Sequence, residues 1–318
     1  MKNIELLSVG AWAPFDHIFK MSKYPSEGET IQMDMELTQA QTVHFGDCSA
    51  NIAFIAAGLG VSSALASVFG SDFDSSGYRA HLEKAGVNLE GVTVLQNQLC
   101  GHNYIFFDHS GDGFCISHRG AAQHQNEHRV PKHIAESCKN IVISEQFSPY
   151  TLSAAKDAKN AGARVFLNGM VDTADELIDD FLTQADVLFI NNSEFERMCE
   201  KIGGERRLFD GYKLELVFVT RGRLGSRILS SDMCMEVPAS RESCRVEDVT
   251  GAGDSFAAGA ICAMIRGFSP VVAARVGATV ASFVIEEWGC QTGAPGWQDM
   301  ERRMELTNWE NDERNEHI

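Results

Sequence analysis

The chain has 318 residues, an apolar fraction of 44% and a formal net charge of −17. That length allows one large domain or two small ones, and the apolar fraction is enough for a buried core. The acidic balance disfavours non-specific binding to nucleic acid or to an anionic membrane, and no apolar run approaches the length of a membrane span. The start, Met1-Lys2-Asn3-Ile4-Glu5, has no signal-peptide pattern. Nine cysteines, odd in number and without CxxC spacing, read as reduced thiols of a cytoplasmic protein.

In chain order, Ile4 to Val9 reads as a buried strand ended by Gly10. Alternation of Ile31, Met33, Met35 and Leu37 with polar residues predicts a half-exposed strand. Ile52, Ile55, Ala56 and Leu59 recur at helical spacing, Ala64 to Phe69 reads as a strand, and Gly77 to Ala85 as a helix closed by Gly86. From Val92 to Ser117 the pattern is β-like, interrupted by the polar turn His109-Ser110-Gly111-Asp112-Gly113.

After residue 138 the rhythm becomes regular. Strands are expected at Ile141–Ser144, Val165–Asn168, Val187–Ile190 and Leu216–Thr220, and helices at Tyr150–Ala161, Thr173–Leu182 and Glu194–Glu200. Further helices are expected after Gly253 and over Val271–Ile285, and a last helix with a frayed tail after Trp297. Strands alternating with helices imply a mostly parallel sheet covered on both faces. The half-polar β regions, about 12–45 and 93–119, fall outside that rhythm. They read as a small separate sheet projecting from a single domain spanning 1–318, with one face left to cover a ligand or a second subunit.

The segment most informative for function is Asp248-Val249-Thr250-Gly251-Ala252-Gly253-Asp254-Ser255-Phe256. Phe256, Ala257, Gly259, Ala260 and Ala263 follow it with helical spacing, so a helix starts near Gly253. Unpaired N–H groups at a helix start, with the helix dipole behind them, make an anion site that glycine lets a ligand approach closely. Asp254 would repel the anion and suits a different task, taking a proton from a nucleophile that attacks it. The segment is not a Walker loop, because no Lys-Ser/Thr follows.

Several motifs in order resemble the ribokinase-like sugar kinases, the PfkB carbohydrate kinase family. Gly10 followed by Asp16 resembles the family's first strand and substrate-contacting Asp. Pro25-Ser26-Glu27-Gly28-Glu29-Thr30 resembles its Pro-x-x-Gly-Glu-Thr turn. Phe45-Gly46-Asp47-Cys48-Ser49-Ala50-Asn51 resembles its signature Gly-Gly-x-x-x-Asn, with Phe45 read in place of the first glycine. Val68 to Asp72, Asn191-Asn192-Ser193-Glu194, Thr220-Arg221-Gly222 with Gly225, and the Gly-Ala-Gly-Asp segment complete the series.

The resemblance implies a three-layer α/β/α domain with a mostly parallel central sheet and a small β-sheet lid. It implies an ATP-dependent phosphotransferase acting on a primary hydroxyl of a small sugar or sugar derivative. Asp254 is then the general base, and Gly251, Ala252 and Gly253 form the anion hole, where such donors supply about 3 kcal/mol each. Asp16, Gly46 and Asn51 contact the substrate. Asn191 and Glu194 lie near the phosphates, Glu194 holding Mg²⁺ through water. Thr220, Gly222 and Gly225 face the nucleotide, and Asp248 with the Thr250 carbonyl matches a monovalent-cation (K⁺) site of some members. The lid and its exposed face imply a homodimer through the lid.

Departures from the pattern are Phe45, Val249 where Thr is usual, and Gly277 where many members have Asn near adenine. Trp12 and Phe45 could sandwich a base, so a nucleoside kinase of the same fold is the alternative within this chemistry. Arg119 is a candidate phosphate contact, and the absence of an Arg/Lys cluster favours an unphosphorylated substrate. A sugar-binding regulator without turnover is disfavoured by the intact Asp254 and Gly-Ala-Gly. His124-Gln125-Asn126-Glu127-His128 fits the zinc-peptidase pattern H-x-x-E-H, although it lies in a polar connection between Gly120 and Pro131.

Overall fold

A computed structural model describes residues 4–108, 113–240, 245–307 and 309. The strand Ile4–Val9 is apolar on both faces, and its alternate residues enter different cores. Leu7 and Val9 join Ile141, Ile143, Val165 and Leu167 on one side of a sheet. Leu6 joins Val142, Phe166, Phe189 and Phe218 on the other. Strands apolar on both faces must be covered twice, and helices cover both sides. The sheet has eight strands in the spatial order Cys234–Val237, Ser226–Leu229, Leu216–Thr220, Val187–Asn191, Arg164–Asn168, Cys138–Ser144, Ile4–Val9, Ser63–Ala66. The last six are parallel, and the first two form an antiparallel hairpin at the edge that sequence periodicity does not reveal. Parallel strands present their C-terminal ends together, the position from which open α/β sheets bind ligands.

Two apolar helices, Ala252–Ile265 and Pro270–Val284, cover the second face. They approach closely at Gly277, where a Cβ would lie 2.6 Å from the Phe256 carbonyl oxygen. The glycine read as a departure near adenine therefore serves helix packing. Among the described residues no helix is long and apolar enough to cross a membrane.

A second, four-stranded sheet has the order His44–Phe45, Phe15–Lys20, Cys100–Phe107, Gly113–Gly120. Its middle strands pair Asp16 with Asn103, and Asn103 in turn pairs with Ser117. Not all of the two half-polar regions enters it. The strand predicted over 31–37 does not form: Met33 makes a single bridge with Met21, and a short helix, Leu37–Gln41, follows. The alternation there lacks a partner strand and a core to face, so most of the segment stays exposed. Thr93–Leu95 pairs instead with Val68–Gly70 in a separate two-stranded sheet, which also splits the strand predicted over 64–69.

The helix predicted over 173–182 is two pieces, a 3₁₀ segment Val171–Leu177, itself kinked where Asp175 has φ 48°, and an α-helix Ile178–Gln184. The polar turn at 109–113 falls largely, and the tail beyond 309 entirely, outside the described residues.

Candidate active site

The helix Ala252–Ile265 starts from Gly251 in the left-handed region at φ 74°. A Cβ on Gly251 would lie 2.7 Å from Cys290 Sγ, so glycine is needed for conformation and for space. Of the three residues read as an anion hole, Ala252 spends its N–H on the Val249 carbonyl at 3.2 Å. Among the described residues the N–H groups of Gly253 and Asp254 make no hydrogen bond, and a Cβ on Gly253 would meet nothing within 4 Å. Gly251 N–H likewise makes no hydrogen bond among the described residues, so the helix start leaves N–H groups free on both sides of Ala252.

Asp254 is buried, with both carboxylate oxygens held by side-chain amides. Asn51 Nδ2 donates to Oδ2 and Asn168 Nδ2 to Oδ1, each at 3.0 Å. Burial holds its carboxyl above the usual range, opposed by the bonds from Asn51, Cys48 and Asn168. Asn51 is fixed in turn by Gln291, whose Nε2 donates to Asn51 Oδ1 at 2.9 Å and to the Tyr78 hydroxyl at 2.8 Å. Tyr78 donates to the Gly46 carbonyl at 2.6 Å. Sequence reading found Asn51 but missed Asn168 and Gln291, because nothing local marks an amide at a strand end or in a turn as functional.

Asp16 is also buried and lies against Gly46, on which a Cβ would sit 2.6 Å from the Asp16 Cγ. Burial pushes the Asp16 carboxyl up to about 7, with the Asn103 hydrogen bond opposing it. The glycine-pair reading needs correction. Counting three residues back from Asn51 puts the pair at 46 and 47, and Asp47 is the residue with φ 74°, ψ 116°. An aspartate there costs on the order of 1–3 kcal/mol of backbone strain. Its side chain offsets this by capping the helix Cys48–Gly58 through Ala50 N–H at 3.0 Å, and by accepting Trp12 N–H at 3.1 Å and the Ser49 hydroxyl.

Phe45 stacks on Tyr78 at 4.4 Å, so it packs behind Gly46, whose carbonyl Tyr78 holds. Trp12 donates its ring N–H to Ser117 and is covered by the Arg119 guanidinium, which donates to Gln146 at 2.6 Å. Trp12 and Phe45 thus each have a protein partner against the ring, and Arg119 is engaged with Trp12 and Gln146.

Two cavities meet at Gly253 and Thr220. The larger, about 720 Å³, is lined by Thr220, Gly222, Gly225, Ala252, Ala278 and Ile285, with Lys20 and Phe107 of the small sheet opposite. The smaller, about 170 Å³, is lined by Asp254, Asn168, Cys48, Glu145, Asn191 and Glu194. Glu145 was not singled out from sequence. It has φ 62°, and its Oε2 is buried without a hydrogen-bond partner among the described residues. Burial, followed by the charge of Asp47, holds its carboxyl well above the usual range.

Asn191 and Glu194 form a reciprocal cap on the helix Asn192–Ile202: Glu194 N–H donates to Asn191 Oδ1 at 2.9 Å, and Asn191 N–H to Glu194 Oε2 at 3.1 Å. The cap aims a carboxylate with unused lone pairs into the smaller cavity. Hard oxygen donors in small number suit Mg²⁺, which keeps most of its waters. Asp248, 1% exposed, accepts Thr250 N–H at 2.9 Å and Gly289 N–H at 3.0 Å, and no Lys or Arg pairs with it among the described residues.

The zinc reading fails. His124 Nδ1 meets Glu127 at 2.9 Å within a 3₁₀ turn, His128 leaves it in extended conformation, and no group of three metal-capable side chains occurs among the described residues. A 3₁₀ turn does not stack residues four apart on one face as an α-helix does.

Comparison with known proteins decides the family. Residues 19–297 match the pfkB family carbohydrate kinase. The chain belongs to that family. It is 30% identical to the nucleoside kinase of Methanocaldococcus jannaschii, over 91% of this chain and 93% of that protein. It is 26% identical to the ribokinase of Haemophilus influenzae, over 89% and 93% of the two chains. The crystal structure of the M. jannaschii nucleoside kinase superposes with a TM-score of 0.83, covering 96% of this chain and 99% of that one at 29% identity. The eight-stranded sheet with its flanking helices is thus a ribokinase-type α/β fold, and the protein is a sugar or nucleoside kinase of the PfkB family.

Proposed function

We propose that this kinase transfers the γ-phosphoryl group of ATP to the primary hydroxyl of a nucleoside's ribose, with Asp254 as general base. The supporting observation is the Asp254 carboxylate at a helix start, beside unpaired N–H groups, where two cavities meet. The larger cavity suits the nucleotide. The acceptor lies between Asp16, Asn51 and Glu145, and its primary hydroxyl donates to Asp254. Each Asp254 oxygen accepts one amide N–H, and with the Cys48 bond also counted the carboxylate keeps a lone pair for the proton. Burial makes the carboxylate a stronger base, matched to removing a proton as the oxygen attacks phosphorus. Charge developing on the migrating group faces the N–H groups of Gly253 and Asp254 and the helix dipole.

The narrowing from a general sugar to a nucleoside follows the kinship with the M. jannaschii enzyme. A coupled ADP-release screen over nucleosides, free pentoses and hexoses with ATP tests it. We expect turnover with nucleosides; turnover confined to free sugars overturns the nucleoside assignment.

Mg²⁺ neutralises phosphate charge in this chemistry, and Glu194, with Asn191 fixing its orientation, is the residue to hold it through water. Glu194→Ala should raise the Mg²⁺ concentration for half-maximal rate severalfold, as read from a Mg²⁺ titration; an unaltered curve removes the assignment. Asp248 and the Thr250 carbonyl are the candidate holders of K⁺, supported by the burial of the Asp248 carboxylate with no Lys or Arg paired to it among the described residues.

The four-stranded sheet acts as the lid of the single domain, excluding water that would otherwise hydrolyse ATP. Its outer face exposes Tyr104, Phe114 and Ile116, beside the stacked pair Phe19–Phe106. An apolar face of this kind suits a homodimer formed lid to lid. Light scattering is expected to give twice the chain mass, and Ile116→Lys should shift it toward the monomer; a wild-type monomer at working concentration rejects the dimer.

A further inference from the structure

The small sheet carries a row of polar side chains that the transfer step itself does not use. Asp16, Asn103 and Ser117 stand opposite one another on three neighbouring strands, so they share one face. Hydrogen bonds run along the row in one direction. Trp12 Nε1 donates to Ser117 Oγ at 3.2 Å, Ser117 Oγ donates to Asn103 Oδ1 at 2.7 Å, and Asn103 Nδ2 donates to Asp16 Oδ1 at 2.7 Å. Asn103 Nδ2 also donates to the Ala13 carbonyl at 3.0 Å. The direction is forced. The Ala13 carbonyl can only accept, so the Asn103 NH₂ faces it and the Asp16 carboxylate, which leaves Asn103 Oδ1 for the Ser117 proton, while the indole N–H of Trp12 donates to Ser117. A flipped amide would set oxygen against carboxylate.

The row is also tied to the main body. Arg119, two residues beyond Ser117, covers the Trp12 ring and donates to Gln146, just past the strand Cys138–Ser144.

We infer that Asn103 is a positioning residue: held in one orientation by the Ala13 carbonyl and Ser117, it aims the Asp16 carboxylate at the acceptor hydroxyls, so that all three strands take part in acceptor recognition. This rests on the reading of Asp16 as an acceptor contact. The electrostatics agree. Asp248, Asp47 and Asp254 face Asp16 with like charge; Tyr78, Cys290 and Cys115 supply no cation, and burial lowers the imidazole of His44, the cross-strand partner of Asp16, toward its neutral form. The Asn103 bond is the largest influence opposing the burial that raises the Asp16 carboxyl. Without it, Asp16 takes up a proton at higher pH.

The test is Asn103→Leu and Ser117→Ala, assayed on whichever acceptor the wild-type enzyme uses. Asn103→Leu should raise the acceptor KM roughly tenfold or more, as for loss of a hydrogen bond to a charged group. KM for ATP should stay within about twofold, since the nucleotide cavity is untouched. The acid limb of acceptor kcat/KM should move to higher pH, and Ser117→Ala should move it the same way by less. In an Asp16→Asn background, Asn103→Leu should add less than about twofold, because both changes act through one carboxylate. An unchanged acceptor KM and acid limb, or a full tenfold loss in the Asp16→Asn background, overturns the inference. Should Asn103→Leu not fold, Ser117→Ala decides alone, and an unmoved acid limb overturns it. Turnover on free sugars but not nucleosides would refute the nucleoside assignment and leave this test intact, with the sugar as acceptor.

Discussion

Asp254→Asn is expected to lower kcat by about three orders of magnitude, the upper part of the range for losing a general base. The substitution keeps shape and keeps an acceptor oxygen for one of the two amides. It removes the only function an amide cannot perform, taking a proton. The new NH₂ must also face either Asn51 Nδ2 or Asn168 Nδ2, each 3.0 Å from a carboxylate oxygen, so one of those amides turns. Nucleotide affinity should stay nearly constant, because Thr220, Gly222 and Gly225 line the larger cavity without Asp254. ADP titration by calorimetry alongside the coupled assay separates the two effects. A variant retaining kcat within about tenfold would leave no room for the base role. In the wild type, kcat should fall as pH drops through the Asp254 pKa, which burial places above that of a free carboxylate. The protonated carboxyl is no longer a base for the alcohol's proton.

Gly46→Ala is expected to cost about a hundredfold in kcat/KM for the acceptor with little change in KM for ATP, on the scale of a site displaced by about 1 Å. The added methyl carbon would lie 2.6 Å from the Asp16 Cγ, inside any permitted contact. The backbone cannot retreat easily, since Tyr78 holds the Gly46 carbonyl and Gly46 N–H donates to the Pro14 carbonyl at 2.8 Å. Asp16 must move, and it takes Asn103 with it. Steady-state kinetics with each substrate varied in turn checks the split. Equal losses for both substrates would mean a general structural failure instead.

Periodicity located the regular part of the chain well, for a physical reason. Strands such as Leu216–Thr220 are buried on both faces, so apolar runs bounded by polar turns leave few other readings. It failed where pairing partners decide the outcome. Ile31 to Leu37 alternates as a strand should, yet forms a single bridge, because the segment touches only the end of the strand Phe15–Lys20 before the helix Leu37–Gln41 begins. The edge hairpin of Ser226–Leu229 and Cys234–Val237 has too short an apolar pattern to stand out. At the site, residues inside dense motifs were legible: Asp254 beside Gly-Ala-Gly, Asn51, and the Asn191–Glu194 pair. Asn168 and Gln291, which bond Asp254 and Asn51, Glu145, which lines the same cavity as Asp254, and Asn103, which bonds Asp16, sit alone in ordinary surroundings and carry no local signature.

By itself the sequence determined the alternation of strand and helix, the glycine-rich helix start and the carboxylate placed in it, because each depends on neighbours in the chain. Only the tertiary structure decided which N–H groups remain unpaired above Asp254, that Asp47 and not Phe45 occupies the strained position, and that three strands hold Asp16 in place. Those outcomes depend on groups as far apart in the chain as Asn51 and Asp254, 203 residues, brought within a hydrogen bond because the helices Cys48–Gly58 and Ala252–Ile265 pack together on one face of the sheet.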